Sequence, residues 1–202
     1  MTEEEKMLAG KLYMPTGDAL RQKFYKSREF AERYNQTGAR EESVRVEILK
    51  NWLGKIGENV HIEPPFHCDY GCHISVGNNF YANFDLVALD VAEIIIGDNV
   101  LIAPKVGLYT ATHPIDPTIR ATGLEYGKKI VIGNNVWIGG STVINPGVTI
   151  GDNSVIGSGS VVTHDIPPNV VAVGNPCRVL RSITKEDFDY WDALRKEYFD
   201  EL

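Results

Sequence analysis

The sequence predicts a mainly β fold, a parallel β-helix of short strands with helices at both ends. Two observations lead to this prediction: aliphatic residues recur every six positions in the middle of the chain, and both flanks carry the spacing of amphipathic helices. A period of six fits neither the 3.6 residues of a helical turn nor the alternation of a plain strand. It fits a short strand followed by a corner, with three hexads closing one triangular coil.

The first region, residues 1–57, is predicted to be a helical arm. Thr2 can cap a short acidic helix, and Asp18 can cap a longer one. A third helix carries apolar residues four apart up to Trp52 and stops at Gly54, because glycine favours the left-handed conformation that ends helices.

The second region, residues 58–180, is predicted to be the β-helix. A small or turn-forming residue follows each aliphatic, and another buried position comes four residues after it, so the aliphatic side chains should all point into the prism. The uninterrupted series is Ile132, Ile138, Ile144, Ile150, Ile156 and Val162, and the same phase appears upstream at Ile96, Ile102 and Leu108.

The last region, residues 181–202, is predicted to be a helix that Thr184 caps. A solenoid must cover its ends, and this helix is expected to do so with an apolar stripe. The stripe comprises Phe188, Trp191, Leu194 and Tyr198.

The regular series is interrupted after Leu108 by "LYTATHPIDP". The prolines and the polar stretch that follows cannot belong to the core, so residues 114–129 are predicted to leave the prism as a loop. Pro114 favours an extended conformation at His113, whose ring would project from the exit of the loop. Loops on a rigid scaffold commonly carry functional groups.

Charge and composition exclude several classes of partner. The net charge of −7 argues against binding to nucleic acid or to an anionic membrane. No run reaches the ~20 apolar residues of a membrane span, and the acidic start "MTEEEKMLAG" lacks the apolar segment of a signal peptide, so a cytoplasmic location is expected. Cys68, Cys72 and Cys177 lack zinc-site spacing and are expected to be reduced, packed thiols.

Several motifs resemble the maltose and galactoside O-acetyltransferase family of hexapeptide-repeat acyltransferases. They are "AGKLY", "PFHCDYG", "NFYANFD", "YTATHP" and "EYGKKIVIGNNVWIGG", and they extend over nearly the whole chain. The resemblance implies a left-handed parallel β-helix, a homotrimer, acetyl-CoA as co-substrate without a metal, and a sugar as acetyl acceptor.

By the same resemblance, His113 is the general base that activates the acceptor hydroxyl, and Asn83 supports the transition state. Imidazole suits this task near neutral pH. The backbone N–H near Gly140 is a further oxyanion donor. From spacing alone, His113 could be a solvated loop residue and Asn83 an ordinary corner residue.

The resemblance also assigns binding residues. The pantetheine arm of coenzyme A would pass Trp137, Gly140 and Ser158, and its nucleotide end would lie near Thr163, His164, Arg178 and Arg181. His164 stands where relatives commonly carry lysine, and Trp137 could equally be plain packing.

Acceptor-pocket positions of the family match Asp69 and Tyr81. The pocket aspartate of the N-terminal arm is missing, because Met14 and Pro15 stand at its place, and Asp18 is the possible substitute.

Two other functions stay open on the sequence. His61, His67 and His73 are six apart and suggest a zinc hydratase on the same fold, but one hexad is one side of the triangle, so their rings would diverge by about 120°. A metal analysis separates this class from the transferase. A non-catalytic assembly protein would not need an extruded loop with a histidine, and it would not bind acetyl-CoA.

Overall fold

A computed structural model describes residues 1–201 as five helices and nineteen short strands. The helices are α1 (Glu3–Leu8), α2 (Asp18–Asn35), α3 (Glu42–Trp52), α4 (Pro117–Arg120) and α5 (Lys185–Asp200). The strands are β1 (Lys55–Ile56), β2 (His61–Ile62), β3 (Phe66–Cys68), β4 (Ile74–Val76), β5 (Tyr81–Ala82), β6 (Leu86–Leu89), β7 (Ile94–Ile96), β8 (Leu101–Ile102), β9 (Gly107–Tyr109), β10 (Ala111–Thr112), β11 (Tyr126–Gly127), β12 (Ile130–Ile132), β13 (Trp137–Ile138), β14 (Val143–Ile144), β15 (Thr149–Ile150), β16 (Val155–Ile156), β17 (Val161–Val162), β18 (Val170–Val173) and β19 (Arg178–Ser182).

The strands form a β-solenoid with three faces, which confirms the predicted fold class. The first face stacks β1, β4, β7, β12 and β15, and the third face stacks β3, β6, β9, β14 and β17. The second face stacks β2, β5, β8, β13, β16 and β18, and β19 adds to it in antiparallel orientation. Apart from the antiparallel pairs β10–β11 and β18–β19, the strands thus pair with the equivalent strands of adjacent coils rather than with their neighbours in sequence.

Coil length changes along the chain in a way that locates the insertion. Val143 pairs with Val161, eighteen residues on, whereas Val87 pairs with Gly107, twenty residues on. Paired residues of β7 and β12 are 36 residues apart in sequence, as Ile94 and Ile130 show. The loop is therefore an insertion into a single coil, and the coils on both sides keep their stacking.

The six-residue series forms the core, as predicted. Every aliphatic of the series from Ile132 to Val162 is at most 1% exposed. The positions four residues further on are buried too, and three of them are polar, namely Thr142, Ser154 and Ser160. Their hydroxyls bond to backbone groups inside the prism, as when Ser160 donates to the carbonyl oxygen of Gly157 at 2.5 Å.

One corner of the triangle, between the first and second faces, is built from stacked asparagines, and we call it the asparagine corner. Each has a positive φ of 54–60° and donates its side-chain amide to the next asparagine at 2.9–3.0 Å. Asparagine tolerates the left-handed conformation better than most residues, which explains its recurrence there. The column comprises Asn59, Asn79, Asn99, Asn135, Asn153 and Asn169.

The N-terminal helices cover the first coils. Trp52 packs on Phe66 with ring centroids 5.1 Å apart and donates its indole N–H to Ser27 at 2.9 Å. The Tyr34 hydroxyl donates to the carbonyl oxygen of Ile62 at 2.5 Å. The arm is therefore joined to the solenoid by a continuous core, and its helices fill the end of the prism.

The helix caps agree with the sequence at α1 and α5, but not at α2 or at the end of α3, where Leu53 is an extended C-cap residue and Gly54 does not have a positive φ. Thr2 and Glu5 form a reciprocal capping box, as do Thr184 and Asp187. The prediction that Asp18 caps α2 is wrong by one position. Gly17 is the extended N-cap residue and Asp18 the first helical residue, where its carboxylate still lies favourably at the positive end of the helix.

The C-terminal helix does not cover the solenoid within one chain, so this prediction is wrong. The chain turns back at β19, which already covers the edge of β18, and α5 buries none of its residues within the described part of the molecule. Phe188, Trp191 and Tyr198 remain 61–66% exposed. A patch of aromatic side chains is thus left facing solvent. No helix among residues 1–201 has the length and apolar character needed to cross a membrane.

The cysteines are all free thiols, and two of them are buried. The expectation of packed thiols is wrong for Cys72, which is exposed. It lies in the turn between β3 and β4, where the chain bends around an outer corner.

We expect the asparagine corner to be sensitive to conformation as well as to hydrogen bonding. Asn135→Gly loses the bonds to Asn99 and Asn153, and should lower the free energy of unfolding by about 1–2 kcal/mol. Asn135→Ala loses the same bonds and also places a Cβ at φ 56°, adding about 1 kcal/mol. Thermal denaturation at matched protein concentration ranks the stabilities of wild type and the two variants. An alanine variant as stable as the glycine variant would contradict the conformational part.

Candidate active site

A cavity of about 430 Å³ lies where the third face turns into the first, at the corner from which the loop emerges. We call this the loop corner; it includes residues 69–73, 90–93 and 110–129. The arm helix α2 forms the opposite wall. The lining residues are Tyr13, Pro15, Thr16, Arg21, Phe24, Tyr25, Asp69, Tyr70, Leu89, Val91, Ala111, His113 and Glu125.

The loop that carries His113 is an ordered excursion. Strands β10 and β11 form an antiparallel pair, and α4 closes the far end, where Asp116 caps it at 2.9 Å from the amide of Thr118. At the base, the buried Thr110 hydroxyl donates to the carbonyl oxygen of Leu89 at 2.6 Å, and the amide of Lys128 donates to the carbonyl oxygen of Thr110 at 3.0 Å. His113 follows β10 directly, is exposed, and contributes to the cavity wall.

A contact between Tyr13 and Glu125 ties the arm to this loop across the cavity. Their backbones exchange two hydrogen bonds of 3.0 and 3.1 Å, and the Tyr13 hydroxyl donates to Glu125 Oε2 at 3.0 Å. Sequence reasoning missed both residues, although each lies in a quoted motif. They are 112 residues apart, so no local spacing could indicate that they meet.

Asp69 lines the same cavity in a strongly perturbed environment. Burial and the negative charge of Asp90 raise the pKa of Asp69 to about 6, although Arg28 opposes both effects. Arg28 Nη2 lies 3.5 Å from Asp69 Oδ1, and its guanidinium lies 4.4 Å from the centre of the Phe24 ring. His113 and Asp69 are thus brought to one cavity, as the resemblance implied.

A second group of predicted residues gathers at the corner between the second and third faces, which we call the Gly140 corner. Trp137 on β13 is 53% exposed, and Gly140 and Ser158 follow β13 and β16 at equivalent positions. A Cβ on Gly140 would lie 3.2 Å from the carbonyl oxygen of Pro104, so glycine suits this turn. Asn83 follows β5 at the same corner, where its Oδ1 accepts the amide of Phe84 at 2.8 Å.

The structure does not bring Asn83 and His113 together within one chain. Asn83 precedes β6 of the third face, and His113 lies beyond β9 of that face, so the width of the face separates them. The residues lining the cavity, all within the described range, do not include Asn83. A reaction that needs both side chains therefore requires contact between the loop corner and another Gly140 corner.

The remaining predicted residues lie in several places. Tyr81 on β5 stacks on His61 with ring centroids 5.5 Å apart. Thr163 and His164 lie in the turn after β17, where Thr163 Oγ1 is 2.9 Å from His164 Nδ1. Asp18 is exposed, and the cavity is lined from that segment by Pro15 and Thr16 rather than by Asp18.

The two arginines assigned to the nucleotide end lie on β19. Arg178 donates to the carbonyl oxygen of Cys177 at 2.8 Å. Arg181 forms a two-bonded pair with Asp187 at 2.7 and 2.8 Å, and this pair holds the pKa of Asp187 at about 2.

The three evenly spaced histidines diverge. His61 lies on β2, His67 on β3, and His73 directly before β4, which places them on three sides of the first coil. Across residues 1–201, no group of three or more His, Cys, Asp or Glu side chains is arranged to hold a metal ion.

Comparison with known proteins supports the geometry. Residues 6–57 match the family described as "Maltose acetyltransferase hexapeptide capping motif", and residues 129–164 match "Bacterial transferase hexapeptide (six repeats)". The galactoside O-acetyltransferase of Escherichia coli K12 is 48% identical over 95% of this chain and 94% of its own length.

Two solved structures share the fold over most of their length. The crystal structure of a maltose O-acetyltransferase from Clostridium difficile 630 has a TM-score of 0.90 and 52% identity, covering 91% of this chain and 98% of that chain. A galactoside acetyltransferase in complex with coenzyme A has a TM-score of 0.90 and 48% identity, covering 93% of this chain and 94% of that chain.

The raised pKa of Asp69 predicts a pH-dependent stability. The folded-state pKa of about 6 exceeds the ordinary value of 3.8, so folding favours the protonated carboxyl. The protonated Asp69 carboxyl therefore contributes its full share to the free energy of unfolding below about pH 4. This contribution is lost as the pH rises through about 6. The free energy of unfolding of Asp69→Asn, taken relative to that of wild type, should be about 2 kcal/mol higher at pH 7.5 than at pH 4.

Denaturant unfolding of both proteins at the two pH values measures this difference. Glu29→Gln, a change on the exposed face of α2, controls for net charge. A stability difference between Asp69→Asn and wild type that is the same at both pH values would contradict the assigned cause.

Proposed function

This chain belongs to the maltose and galactoside O-acetyltransferase family, and from that premise we propose that it transfers the acetyl group of acetyl-CoA to a hydroxyl of a sugar. The observation that carries the proposal is the cavity at the loop corner, where His113 faces the same space as Asp69, Glu125 and Tyr13. A histidine beside a cavity with several hydroxyl-binding groups suits activation of a polyhydroxylated acceptor.

The reaction follows from the chemistry of the thioester and the hydroxyl. His113 accepts the hydroxyl proton while the hydroxyl oxygen attacks the thioester carbonyl carbon. A tetrahedral intermediate forms, its C–S bond breaks, and His113 returns the proton to the leaving thiolate. Asn83 and the backbone N–H near Gly140 support the negative charge on the carbonyl oxygen. No covalent acetyl-enzyme is needed, so the three cysteines take no part.

The acceptor is a neutral molecule with several hydroxyls. Asp69, Glu125 and Arg21 all line the cavity, so the carboxyl groups outnumber the arginine, and both carboxyl groups can accept hydrogen bonds from hydroxyls. Phe24, Leu89 and Val91 supply apolar wall, which suits the C–H face of a pyranose ring. Glu125 supplies a carboxylate where the arm aspartate of the family is missing, and Asp18 is not required for this role.

Coenzyme A binds along the Gly140 corner. The exposed Trp137 offers a flat surface to the pantetheine arm, and the small residues Gly140 and Ser158 leave room beside the backbone. We assign Thr163, His164 and Arg178 to the nucleotide end. Arg181 contributes a phosphate contact only when it releases Asp187, so Arg178 is the stronger phosphate ligand.

The catalytic unit is a homotrimer. Each active site combines the loop corner of one copy with the Gly140 corner of a neighbour, which joins His113 to Asn83 and brings Tyr81 toward the acceptor. Cyclic symmetry repeats this contact three times without leaving an open end. Leu101 and Trp137 are 50% and 53% exposed on the second face, and α5 adds its aromatic patch, so apolar surface is present for such contacts.

We expect His113→Ala to lower kcat by about 10²–10⁴-fold, the usual contribution of a positioned general base. The affinity for acetyl-CoA should stay near that of wild type, because His113 is exposed and its removal opens no core cavity. Steady-state kinetics and calorimetry measure the two quantities. Ile115→Ala, a 91% exposed position in the same loop, is the matched control. A His113→Ala variant with near-normal kcat would remove His113 from its role.

The shared site predicts recovery of activity in mixed trimers. His113→Ala and Asn83→Ala trimers should each be nearly inactive, but joint refolding should create sites with both native residues at about a quarter of the wild-type number. Sedimentation must show trimers in all samples. A mixture of His113→Ala with the double variant has no native His113 and should stay inactive. Absence of recovery in the first mixture would contradict a site shared between copies.

A further inference from the structure

We propose that Asp90, a buried side chain outside the transfer chemistry, is a positioning residue of the acceptor pocket: its carboxyl oxygens accept the backbone amides of the turn that presents Asp69. The inference rests on the proposed function, since it treats the cavity beside Asp69 as the acceptor pocket. Asp90 is 0% exposed and follows β6 at the loop corner. It does not line the cavity and therefore acts through Asp69.

Asp90 joins two successive coils. Its Oδ1 accepts the backbone amides of Asp69 at 3.0 Å and Tyr70 at 2.8 Å, and its Oδ2 accepts the amide of His73 at 3.3 Å. The His73 ring donates from Nδ1 to the backbone carbonyl oxygen of Asp90 at 2.7 Å. Residues 69–73 lie between β3 and β4, where the strand ladder supplies no acceptors, so one side chain serves the turn.

The equivalent position in the next coil carries a neutral hydroxyl instead of a carboxyl group. One coil further on, Thr110 is the residue equivalent to Asp90. Leu89 pairs with Tyr109, and Asp90 and Thr110 directly follow this pair. The Thr110 hydroxyl accepts the amide of Ala92 at 3.0 Å and is also buried. The hydroxyl thus accepts one amide of its turn, whereas the two carboxyl oxygens of Asp90 accept three amides of the turn that contains Asp69. Burying a charge costs several kcal/mol, which points to a role beyond folding.

The charge of Asp90 acts on Asp69 together with its other neighbours. Arg28 from α2 lowers the pKa of Asp69, whereas burial, Asp90 and Glu125 from the loop raise it to about 6. The hydroxyls of Tyr13 and Tyr70 belong to the same cluster. His73 faces Asp90 from the turn. Burial raises the pKa of Asp90 as well, while the backbone amides of Tyr70 and His73 and the charge of His73 oppose this effect.

The consequence for binding is a change in hydrogen-bonding role near neutral pH. A protonated Asp69 donates to an oxygen of the acceptor, and an ionised Asp69 accepts from a hydroxyl. The pH at which this exchange occurs depends on the charge of Asp90. Acceptor binding should therefore vary with pH around 6, the value to which the pKa of Asp69 is raised.

The test is Asp90→Asn, which preserves shape and one acceptor oxygen but removes the charge. We expect the acceptor KM to rise about tenfold, with kcat and the affinity for acetyl-CoA within about twofold of wild type. The midpoint of the KM profile against pH should move below that of wild type, because an anion next to Asp69 is gone. Carbon-13 NMR of the Asp69 carboxyl should show the same downward shift without any acceptor.

Three further variants define the outcome. Asp69→Asn should abolish the pH dependence of KM, and Arg28→Met should move the midpoint upward, opposite to Asp90→Asn. Asp90→Ser fits the same space and replaces Asp90→Asn if that variant does not fold, with the same expected downward shift. A folded Asp90 variant with an unchanged midpoint and an unchanged KM would overturn the proposal. Failure of the wild type to acetylate any sugar would instead overturn the proposed function, and the NMR titration would still decide the effect of Asp90 on Asp69.

Discussion

The register of the stacked coils is the constraint on which the rest of this structure depends. Each coil contacts only the coil above and the coil below, so every inward side chain and every corner must recur at the same place. The asparagine corner enforces this, because each side-chain amide bonds to its counterpart in the next coil. A slip of one residue would exchange the inner and outer sides of every strand. The inward aliphatic column and both functional corners rely on this alignment.

The active-site region uses the same register in two ways. The loop enters as an insertion of one coil, and the strands before and after it still pair, as Ile94 and Ile130 show. The scaffold therefore holds both ends of the loop, and the residues between these ends, which include His113, lie outside the prism. At the opposite corner, the regular repeat places Gly140 and Ser158 in one column beside Trp137. The loop corner and the Gly140 corner are thus two different features of one scaffold.

The cavity between the arm and the loop has an unusual charge balance. Asp69 and Glu125 line it, Asp90 lies behind Asp69, and the cations nearby are Arg21 in the wall and Arg28, which pairs with Asp69. Burial and the neighbouring carboxyl groups raise the pKa of Asp69. Burial and charge therefore act together on the hydroxyl-binding groups, whereas His113 lies at the exposed side of the same cavity.

The repeat of the sequence by itself determined the class of fold, the core and the place of the loop, because a solenoid folds from contacts between neighbouring hexads that the period expresses directly. The family motifs identified His113 and Asp69 for the same cavity. Only the tertiary structure decided that Tyr13 meets Glu125, that Asp90 supports the turn of Asp69, and that Asn83 lies a full face away from His113. These relations depend on which corner each residue occupies and on coils of eighteen, twenty or 36 residues, and distance along the chain does not encode them. The aromatic stripe of α5 was visible in the sequence, but its exposure followed from β19, whose pairing with β18 covers the edge first.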